Sequence, residues 1–196
     1  LSIMKKFKQI TNYGKMFLFG SLFLIACNNA NSKNDTESTE TKTAETAHAV
    51  AILNATMPDT TLTGTADFVT QNGKVKLTVT LSIPTLKNKS VAVHIHDMAD
   101  CGDMGKGAHG HWNPTNQQHG KWGTGSFHLG DIGNVSLDST GKGTLQMETD
   151  LWTIGGDVKT NVLNHSIIVH SGMDDFTSQP AGNAGSRIGC GVIEKK

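Results

Sequence analysis

A strict alternation of apolar and polar or small side chains between positions 75 and 83 constrains the fold of this chain most. The apolar positions are Val75, Leu77, Val79, Leu81 and Ile83. Successive side chains of a strand point to opposite faces of its sheet, so this period of two predicts a strand with one buried face. The turn signal Asn72-Gly73 precedes it, and residues 61–69 are placed to form the hairpin partner.

Other short segments also have the character of strands. The candidates are residues 49–54, 91–96, 135–137, 144–149 and 166–170. No apolar period of 3.6 residues persists for three helical turns anywhere in the chain. Short strands in a chain with 22 glycines favour an all-β domain, an antiparallel sandwich or barrel. A length of 196 residues allows one such core.

Two long segments lack any strand pattern: residues 97–134, which we term the first loop, and residues 171–186, the second loop. Long loops without regular structure are uncommon in compact domains and are usually functional. These two contain or adjoin most of the nine histidines of the chain. We therefore expect them to form a site.

The amino-terminal segment has the pattern of a secretory signal. Residues 1–26 contain four lysines and no acidic residue, and an apolar run of about eleven residues ends at Ala26. A membrane-spanning helix needs about 20 apolar residues, so a cleaved signal peptide is favoured. The motif Leu24-Ile25-Ala26-Cys27 resembles the bacterial lipobox, which predicts cleavage before Cys27 and its lipidation. An ordinary signal peptide with an incidental cysteine is the alternative.

Residues 27–46 would then be a flexible polar tether, and residues 47–196 the folded domain. Between residues 28 and 46 no large apolar or aromatic side chain occurs, so this stretch cannot bury enough surface to fold. We expect a lipoprotein on the periplasmic face of a bacterial membrane, and Asn28 favours the outer membrane. In that oxidising compartment Cys101 and Cys190 can form a disulfide.

The charge balance excludes a nucleic-acid partner. The full chain carries 17 basic and 17 acidic residues, which provides no general attraction for a polyanion. Removal of the four lysines in residues 1–26 leaves 13 basic residues against 17 acidic ones. The mature protein is therefore predicted to be mildly acidic and to contact the membrane only through its lipid anchor.

The histidines are spaced as metal ligands. His94 and His96 end a predicted strand, where residues two apart share a face and two imidazoles can chelate a metal. A second group provides three imidazoles and one carboxylate, the closed tetrahedral set of a structural zinc site: His111, His119, His128 and Asp131. His170 ends the last predicted strand. If it lies beside His94 and His96, it completes an imidazole-only site, which suits copper as well as zinc.

With these residues the chain resembles copper–zinc superoxide dismutase over roughly residues 49–193. The resemblance depends on the His94-x-His96 motif, on the intervals of eight, nine and three residues that follow His111, and on the segment from Gly182 to Ile193. It implies an antiparallel Greek-key β-barrel with a metal-binding loop held by a disulfide and a short electrostatic loop. It also implies an enzyme that converts superoxide to dioxygen and hydrogen peroxide, with copper and zinc as cofactors.

The resemblance further assigns a role to each site residue. The implied copper ligands are His94, His96, His111 and His170, and the implied zinc ligands are His111, His119, His128 and Asp131, so that His111 bridges both metals. Asp174 corresponds to a carboxylate that accepts a hydrogen bond from one histidine of each metal. Cys101 and Cys190 match the family disulfide. Arg187 matches the cation that orients the anionic substrate beside copper.

Some questions stay open at this level. A protein that buffers or delivers copper and zinc without turnover would need the same ligands, although Arg187 and Asp174 favour the enzyme. Compared with animal members of the family, the second loop carries few charges, so Lys106 and Lys121 are candidates to attract substrate. Family dimer contacts cannot be transferred, and a homodimer remains open. The other histidines are predicted not to bind metal: His48, His109 and His165.

Overall fold

The computed structural model describes residues 46–196, so the predicted signal peptide, Cys27 and all but the last residue of the tether lie outside the described residues. The described part contains nine strands: β1 (His48–Ala55), β2 (Thr63–Gln71), β3 (Lys74–Ser82), β4 (Ser90–His96), β5 (Gly133–Ser136), β6 (Lys142–Thr149), β7 (Ser166–His170), β8 (Arg187–Val192) and β9 (Glu194–Lys195). Its only helices are two short 3₁₀ turns, Pro84–Leu86 and Lys106–Ala108. Within this range no helix is long and apolar enough to cross a bilayer.

The strands form one antiparallel sheet in the order β5-β4-β7-β8-β1-β2-β3-β6, with β9 paired to β1. A tight turn between the two end strands, β5 and β6, nearly closes this sheet into a barrel, and the amide of Asp138 there bonds to the carbonyl of Lys142 at 2.8 Å. Neighbours such as β4 and β7 are distant in the chain, as Greek-key connections require. The predicted all-β class is confirmed.

The alternating segment forms β3, whose apolar side chains are buried in the core: Val75, Leu77, Val79 and Leu81. It pairs with β2 through a two-residue turn in which Asn72 and Gly73 both have positive φ, as the hairpin signal predicted. Phe68 and Trp152 fill the barrel interior with ring centroids 5.9 Å apart. The indole Nε1–H of Trp152 donates to the carbonyl of Leu129 at 3.0 Å, which ties the first loop to the core.

The apolar pattern alone did not indicate β8. Its glycines interrupt the pattern, and they are needed because neighbouring strands pack closely: a Cβ at Gly191 would overlap the carbonyl of Ile52, and one at Gly189 would overlap the side chain of Leu62. Because β8 pairs with β7, the register places Arg187 opposite His170. This strand therefore brings a cation next to a predicted metal ligand.

The two loops occupy the positions expected from the sequence. The first loop runs from residue 97 to residue 132, since β5 begins at Gly133, and the second loop runs from residue 171 to residue 186. The first loop folds back along β4, where the amide of Ile95 donates to Gly130 at 2.9 Å and the amide of Trp112 donates to Ile95 at 2.9 Å. The predicted disulfide between Cys101 and Cys190 is confirmed and joins this loop to β8.

Candidate metal centre

Strand β4 contributes the first two imidazoles. His94 and His96 are fully buried on one face of the strand, while Val93 and Ile95 point to the barrel core. His170 ends β7, the strand bonded to β4, and its ring centroid lies 5.0 Å from that of His94. His111 enters from the first loop, held by a β-bridge to His96, with its ring centroid 4.0 Å from that of His94.

Two buried groups of potential ligand atoms result. One consists of His94, His96, His111 and His170, and the other of His111, His119, His128 and Asp131. Within each group the ligand atoms all lie within 4.8 Å of one another. His111 belongs to both groups, so the structure brings together all seven residues that the sequence indicated and joins the two groups through one imidazole.

The first group fits a metal because each of its histidines has one ring nitrogen without a partner. In three of them the other nitrogen donates outward: Nε2 of His94 to Asp174 at 2.8 Å, Nδ1 of His96 to the His109 carbonyl at 2.8 Å, and Nδ1 of His170 to the Gly185 carbonyl at 3.3 Å. In His111 the other nitrogen, Nδ1, faces Asp131 of the second group at 2.8 Å. The nitrogens left over are buried and make no hydrogen bond: Nδ1 of His94 and Nε2 of His96, His111 and His170. Buried acceptors without partners are unfavourable, and four converging imidazole nitrogens suit copper.

The second group centres on one carboxylate oxygen. Oδ1 of Asp131 lies 2.8 Å from Nδ1 of His111, 3.0 Å from Nδ1 of His119 and 3.2 Å from Nδ1 of His128. Its Oδ2 accepts hydrogen bonds from the amides of His128 and Gly120, which fix the orientation of the carboxylate. Three nitrogens and one oxygen form a closed set of the kind that structural zinc takes, with no position left for a reactive water.

The carboxylates of the centre are held ionised. Burial alone would raise the pKa of Asp131, but hydrogen bonds from His111, His119 and His128 outweigh it and hold that pKa far below its usual value. Burial likewise opposes a charge on His119, yet hydrogen bonds to Asp131 and Asp174 raise the pKa of His119 to about 9. In the absence of zinc, a proton on this imidazole therefore offsets part of the buried negative charge.

Three histidines of the first group are held neutral: His96, His111 and His170. Burial lowers the pKa of His170 to about 3. Burial also lowers the pKa of His111 to about 4, although its hydrogen bond to Asp131 acts in the opposite direction. Burial, reinforced by the neighbouring imidazole of His111, also lowers the pKa of His96. Metal ligands must be deprotonated, so these imidazoles are available to a metal without competition from protons near pH 7.

Asp174 of the second loop connects the two groups. Its Oδ2 accepts from Nε2 of His94 and its Oδ1 from Nε2 of His119 at 2.9 Å, so one histidine of each group is fixed by the same carboxylate. Asn134 holds the backbone of Asp174 through both ends of its amide, at 2.8 and 2.9 Å. Gly182 lies against this contact with a φ of +65°, and any Cβ there would overlap Asp174 and His119.

Arg187 lies at the mouth of the first group. Its guanidinium donates to the carbonyl of Gly105 at 2.6 Å and to the carbonyl of His109, which also accepts from His96. A cavity of about 530 Å³ opens here, lined by His96, His111, His170 and Arg187 among others. Within residues 46–196, Arg187 is the only lysine or arginine that lines that cavity.

The remaining candidates lie further away. Lys106 lines a neighbouring cavity beside Arg187, and Nζ of Lys121 lies 5.9 Å from the ring centroid of Phe176, so neither lines the cavity itself. His48, His109 and His165 belong to neither ligand group. Sequence reasoning missed the contribution of His109, because it comes from a backbone carbonyl rather than from its imidazole. It also missed Asn134 and Trp152, whose contacts are made only in the folded chain.

A nearly closed antiparallel β-barrel with two buried ligand groups that share one histidine defines a dinuclear metalloprotein. Residues 62–193 match the family model of copper/zinc superoxide dismutase. The chain is 33% identical over 136 residues, 67% of its length, to copper–zinc superoxide dismutase 1 of Aquifex aeolicus, of which 79% is covered. It is 34% identical over 152 residues, 74% of its length, to the copper–zinc superoxide dismutase of Paramecium bursaria Chlorella virus 1, of which 76% is covered.

An extracellular copper–zinc superoxide dismutase of Caenorhabditis elegans is 31% identical over 140 residues, 68% of this chain and 62% of that protein. The chain therefore belongs to the copper/zinc superoxide dismutase family. It is an oxidoreductase that acts on superoxide and uses copper and zinc.

Proposed function

We propose that superoxide is disproportionated at a copper held by His94, His96, His111 and His170, beside a structural zinc held by His111, His119, His128 and Asp131. The observation that carries this division is the arrangement of ring nitrogens around His111. Its Nε2 shares the first group with imidazoles alone, and its Nδ1 faces the carboxylate of Asp131. An all-imidazole group suits copper, and a group with one carboxylate and no open position suits structural zinc.

The reaction needs two opposite electron transfers. Two superoxide anions and two protons yield one dioxygen and one hydrogen peroxide. Bound copper supplies the one-electron couple that both half-reactions use, and zinc, which has no such couple, serves structure. Arg187 binds and orients the small anion, because it is the one lysine or arginine of the described part of the chain that lines the cavity and its guanidinium is held by two carbonyls.

His111 transfers the proton that the reduction of superoxide requires. Its Nε2 is turned toward the group proposed to bind copper, and its ring also lines the cavity that substrate enters. When this nitrogen is not bound to metal, it can take up a proton and deliver that proton to the anion during its reduction. Asp174 acts only indirectly, by fixing the rings of His94 and His119. Loss of such a hydrogen-bond partner typically costs 10- to 100-fold in metal affinity or activity.

We further propose that the enzyme works outside the cytoplasm, as a lipoprotein anchored through Cys27 with residues 28–46 as its tether. The apolar run before Cys27 and the disulfide between Cys101 and Cys190 support export, because disulfides persist in oxidising compartments. Extracellular relatives such as that of C. elegans agree with this location. Mass spectrometry of the protein from the membrane fraction tests the anchor: an unmodified Cys27, or cleavage elsewhere, would remove it.

One experiment tests the activity together with the metals. The purified protein is loaded with copper and zinc, and superoxide decay is compared with that of the metal-free protein and of the protein loaded with zinc alone. Rapid decay should appear only with copper present. Stoichiometric binding of both metals without turnover would instead indicate a protein that stores or delivers them.

A further inference from the structure

Gln179 of the second loop contacts His119 of the first loop through both ends of its side-chain amide. Its Oε1 accepts from the backbone amide of His119 at 2.9 Å, and its Nε2 donates to the backbone carbonyl of His119 at 2.9 Å. The two residues lie 60 positions apart in the chain. The side chain of Gln179 thus bonds to the backbone N–H and C=O of His119, as a neighbouring strand would in a sheet.

The turn that presents Gln179 is well supported. The amide of Asp175 donates to the carbonyl of Gly182 at 2.9 Å, and the amide of Gly182 donates to the carbonyl of Ser178 at 2.7 Å. The carboxylate of Asp175 accepts from the amide of Ser178 at 2.8 Å and from its hydroxyl. A side chain on such a turn can hold the backbone of another loop in a fixed position.

His119 is therefore held at two points by the same loop. Asp174 orients its ring through Nε2, and Gln179 holds its backbone. The backbone position matters for two ligands at once. Nδ1 of His119 lies 3.0 Å from Oδ1 of Asp131, and the amide of the next residue, Gly120, donates to Oδ2 of the same carboxylate at 3.0 Å. A shift at residues 119–120 would displace both.

We propose that Gln179 is a positioning residue for zinc: it holds the backbone of His119 so that this imidazole and the carboxylate of Asp131 stay in binding geometry. The inference rests on the proposed assignment of His119 and Asp131 to zinc. It does not extend to copper. The outward hydrogen bonds of His94, His96 and His170 run to Asp174, His109 and Gly185, and none of them involves Gln179.

The chemistry of the contact defines the variants. The amide of Gln179 offers a donor and an acceptor on separate atoms, so Gln179→Glu keeps the acceptor for the His119 amide and loses the donor to the His119 carbonyl. Gln179→Met keeps the length of the side chain and loses both. Gln118→Met is the matched control, because Gln118 lines the same cavity and its side chain makes none of the hydrogen bonds found in residues 46–196.

Zinc affinity is measured in the copper-free full chain by competition with a chelator, and copper affinity is measured with zinc kept saturating. We expect Gln179→Met to raise the zinc Kd by about 10-fold or more, in the range of other residues that orient metal ligands. Gln179→Glu should have a smaller effect in the same direction. Copper affinity in both variants, and both affinities in Gln118→Met, should stay at the wild-type values.

Two outcomes would overturn the inference: an unchanged zinc Kd in Gln179→Met, or an equal loss of zinc and copper, which would indicate a general contact between the loops. If Gln179→Met does not fold, the zinc Kd of Gln179→Glu decides by the same criteria. Asp131→Ala separates this inference from the assignment on which it rests. If Asp131→Ala still binds zinc normally, the zinc assignment is wrong. If Asp131→Ala loses zinc while Gln179→Met keeps the wild-type zinc Kd, the assignment stands and only the role of Gln179 is rejected.

Discussion

At the scale of single residues, the tautomers of the histidines are set by oxygen acceptors around the centre. Nε2 of His94 and His119, and Nδ1 of His96 and His170, each donate to an oxygen outside the ligand groups. The opposite nitrogen is therefore the one left to bind metal. His111 differs, because its two nitrogens face the two groups. By the proposed assignment, it is the only imidazole of the described centre that would lose its last ring proton on binding of both metals.

Substitution of Arg187 should separate substrate attraction from metal binding. We expect Arg187→Ala to lower the rate of superoxide decay by about 10-fold or more at low ionic strength, since local positive potential raises encounter rates by 10- to 1000-fold. Copper affinity should not change, because the guanidinium contacts carbonyls and no ligand atom. Stopped-flow decay measured beside a copper titration checks both, and Arg187→Lys is the control that keeps the charge. An unchanged rate would count against this role.

Substitution of Asp131 should remove zinc before copper. Asp131→Ala deletes the one carboxylate of the second ligand group and leaves all four imidazoles of the first. We expect zinc binding to become undetectable at metal concentrations that saturate the wild-type protein, while copper binding weakens much less. Metal content after dialysis against a chelator, measured for both metals, provides the test. Loss of copper ahead of zinc would show that the ligands are divided wrongly.

At the scale of elements, the first loop is long but fastened at several places. The disulfide joins the start of this loop to β8, and the hydrogen bonds of Ile95 hold both halves of the loop against β4. Near the end of the loop, the indole of Trp152 donates a hydrogen bond to the carbonyl of Leu129. The second loop is much shorter and meets the first through Asp174 and Gln179. The metal centre is therefore formed where two loops are bonded to each other on a rigid barrel.

Reduction of the disulfide should loosen this arrangement. The bridge closes a loop with a sequence separation of 89 residues, for which the chain-entropy model gives at most about 4–5 kcal/mol of stability. When reductant is added to the metal-free protein, we expect its free energy of unfolding to fall by a large part of this contribution, as measured by urea denaturation. The Cys101→Ser, Cys190→Ser double variant should not respond to reductant. Equal stability of the oxidised and reduced wild-type protein would contradict the prediction.

At the scale of the whole molecule, the net charge is small, and positive charge is expected to be concentrated at the metal centre. Residues 47–196 carry 11 basic and 13 acidic residues, so the domain is slightly acidic before metals bind. Two divalent cations bound with one deprotonated bridging histidine would add positive charge at a single place, next to Arg187. A mildly acidic surface around a local positive site suits a small anionic substrate.

The metal-free protein should be most stable near pH 6.5. His111 and His170 have folded pKa values of about 4 and about 3, so below about 6.5 the unfolded chain binds more protons and stability falls as pH drops. His119 has a folded pKa of about 9, so between 6.5 and 9 the folded chain binds more protons and stability falls as pH rises.

Urea denaturation at pH 4.5, 6.5 and 9 tests this dependence. Saturating zinc should abolish the alkaline loss, because the metal then takes the place of the proton at His119. A metal-free protein that is more stable at pH 9 than at pH 6.5 would contradict the assignment of this effect to His119.

Much of the barrel and of the centre could be predicted, for different reasons. Strand β3 was predictable because burial of one face imposes a period of two on its side chains. The two groups of potential metal ligands were predictable because ligands must be particular residue types, and their spacing is visible in the chain. Strand β8 was hidden, because close approach of its neighbours requires glycine at Gly189 and Gly191, and glycine weakens the strand pattern.

The sequence by itself determined the class of fold, the residues proposed as ligands and the family resemblance, because these depend on residue type and on intervals along one chain. Only the tertiary structure decided which nitrogen of each histidine is left for a metal, that Arg187 is the sole lysine or arginine among the described residues lining the cavity, and that Gln179 holds His119. Hydrogen bonds around the centre join residues as far as 82 positions apart and often use backbone carbonyls, which every residue possesses. No pattern of side chains along the chain can therefore reveal them before the loops are folded against each other.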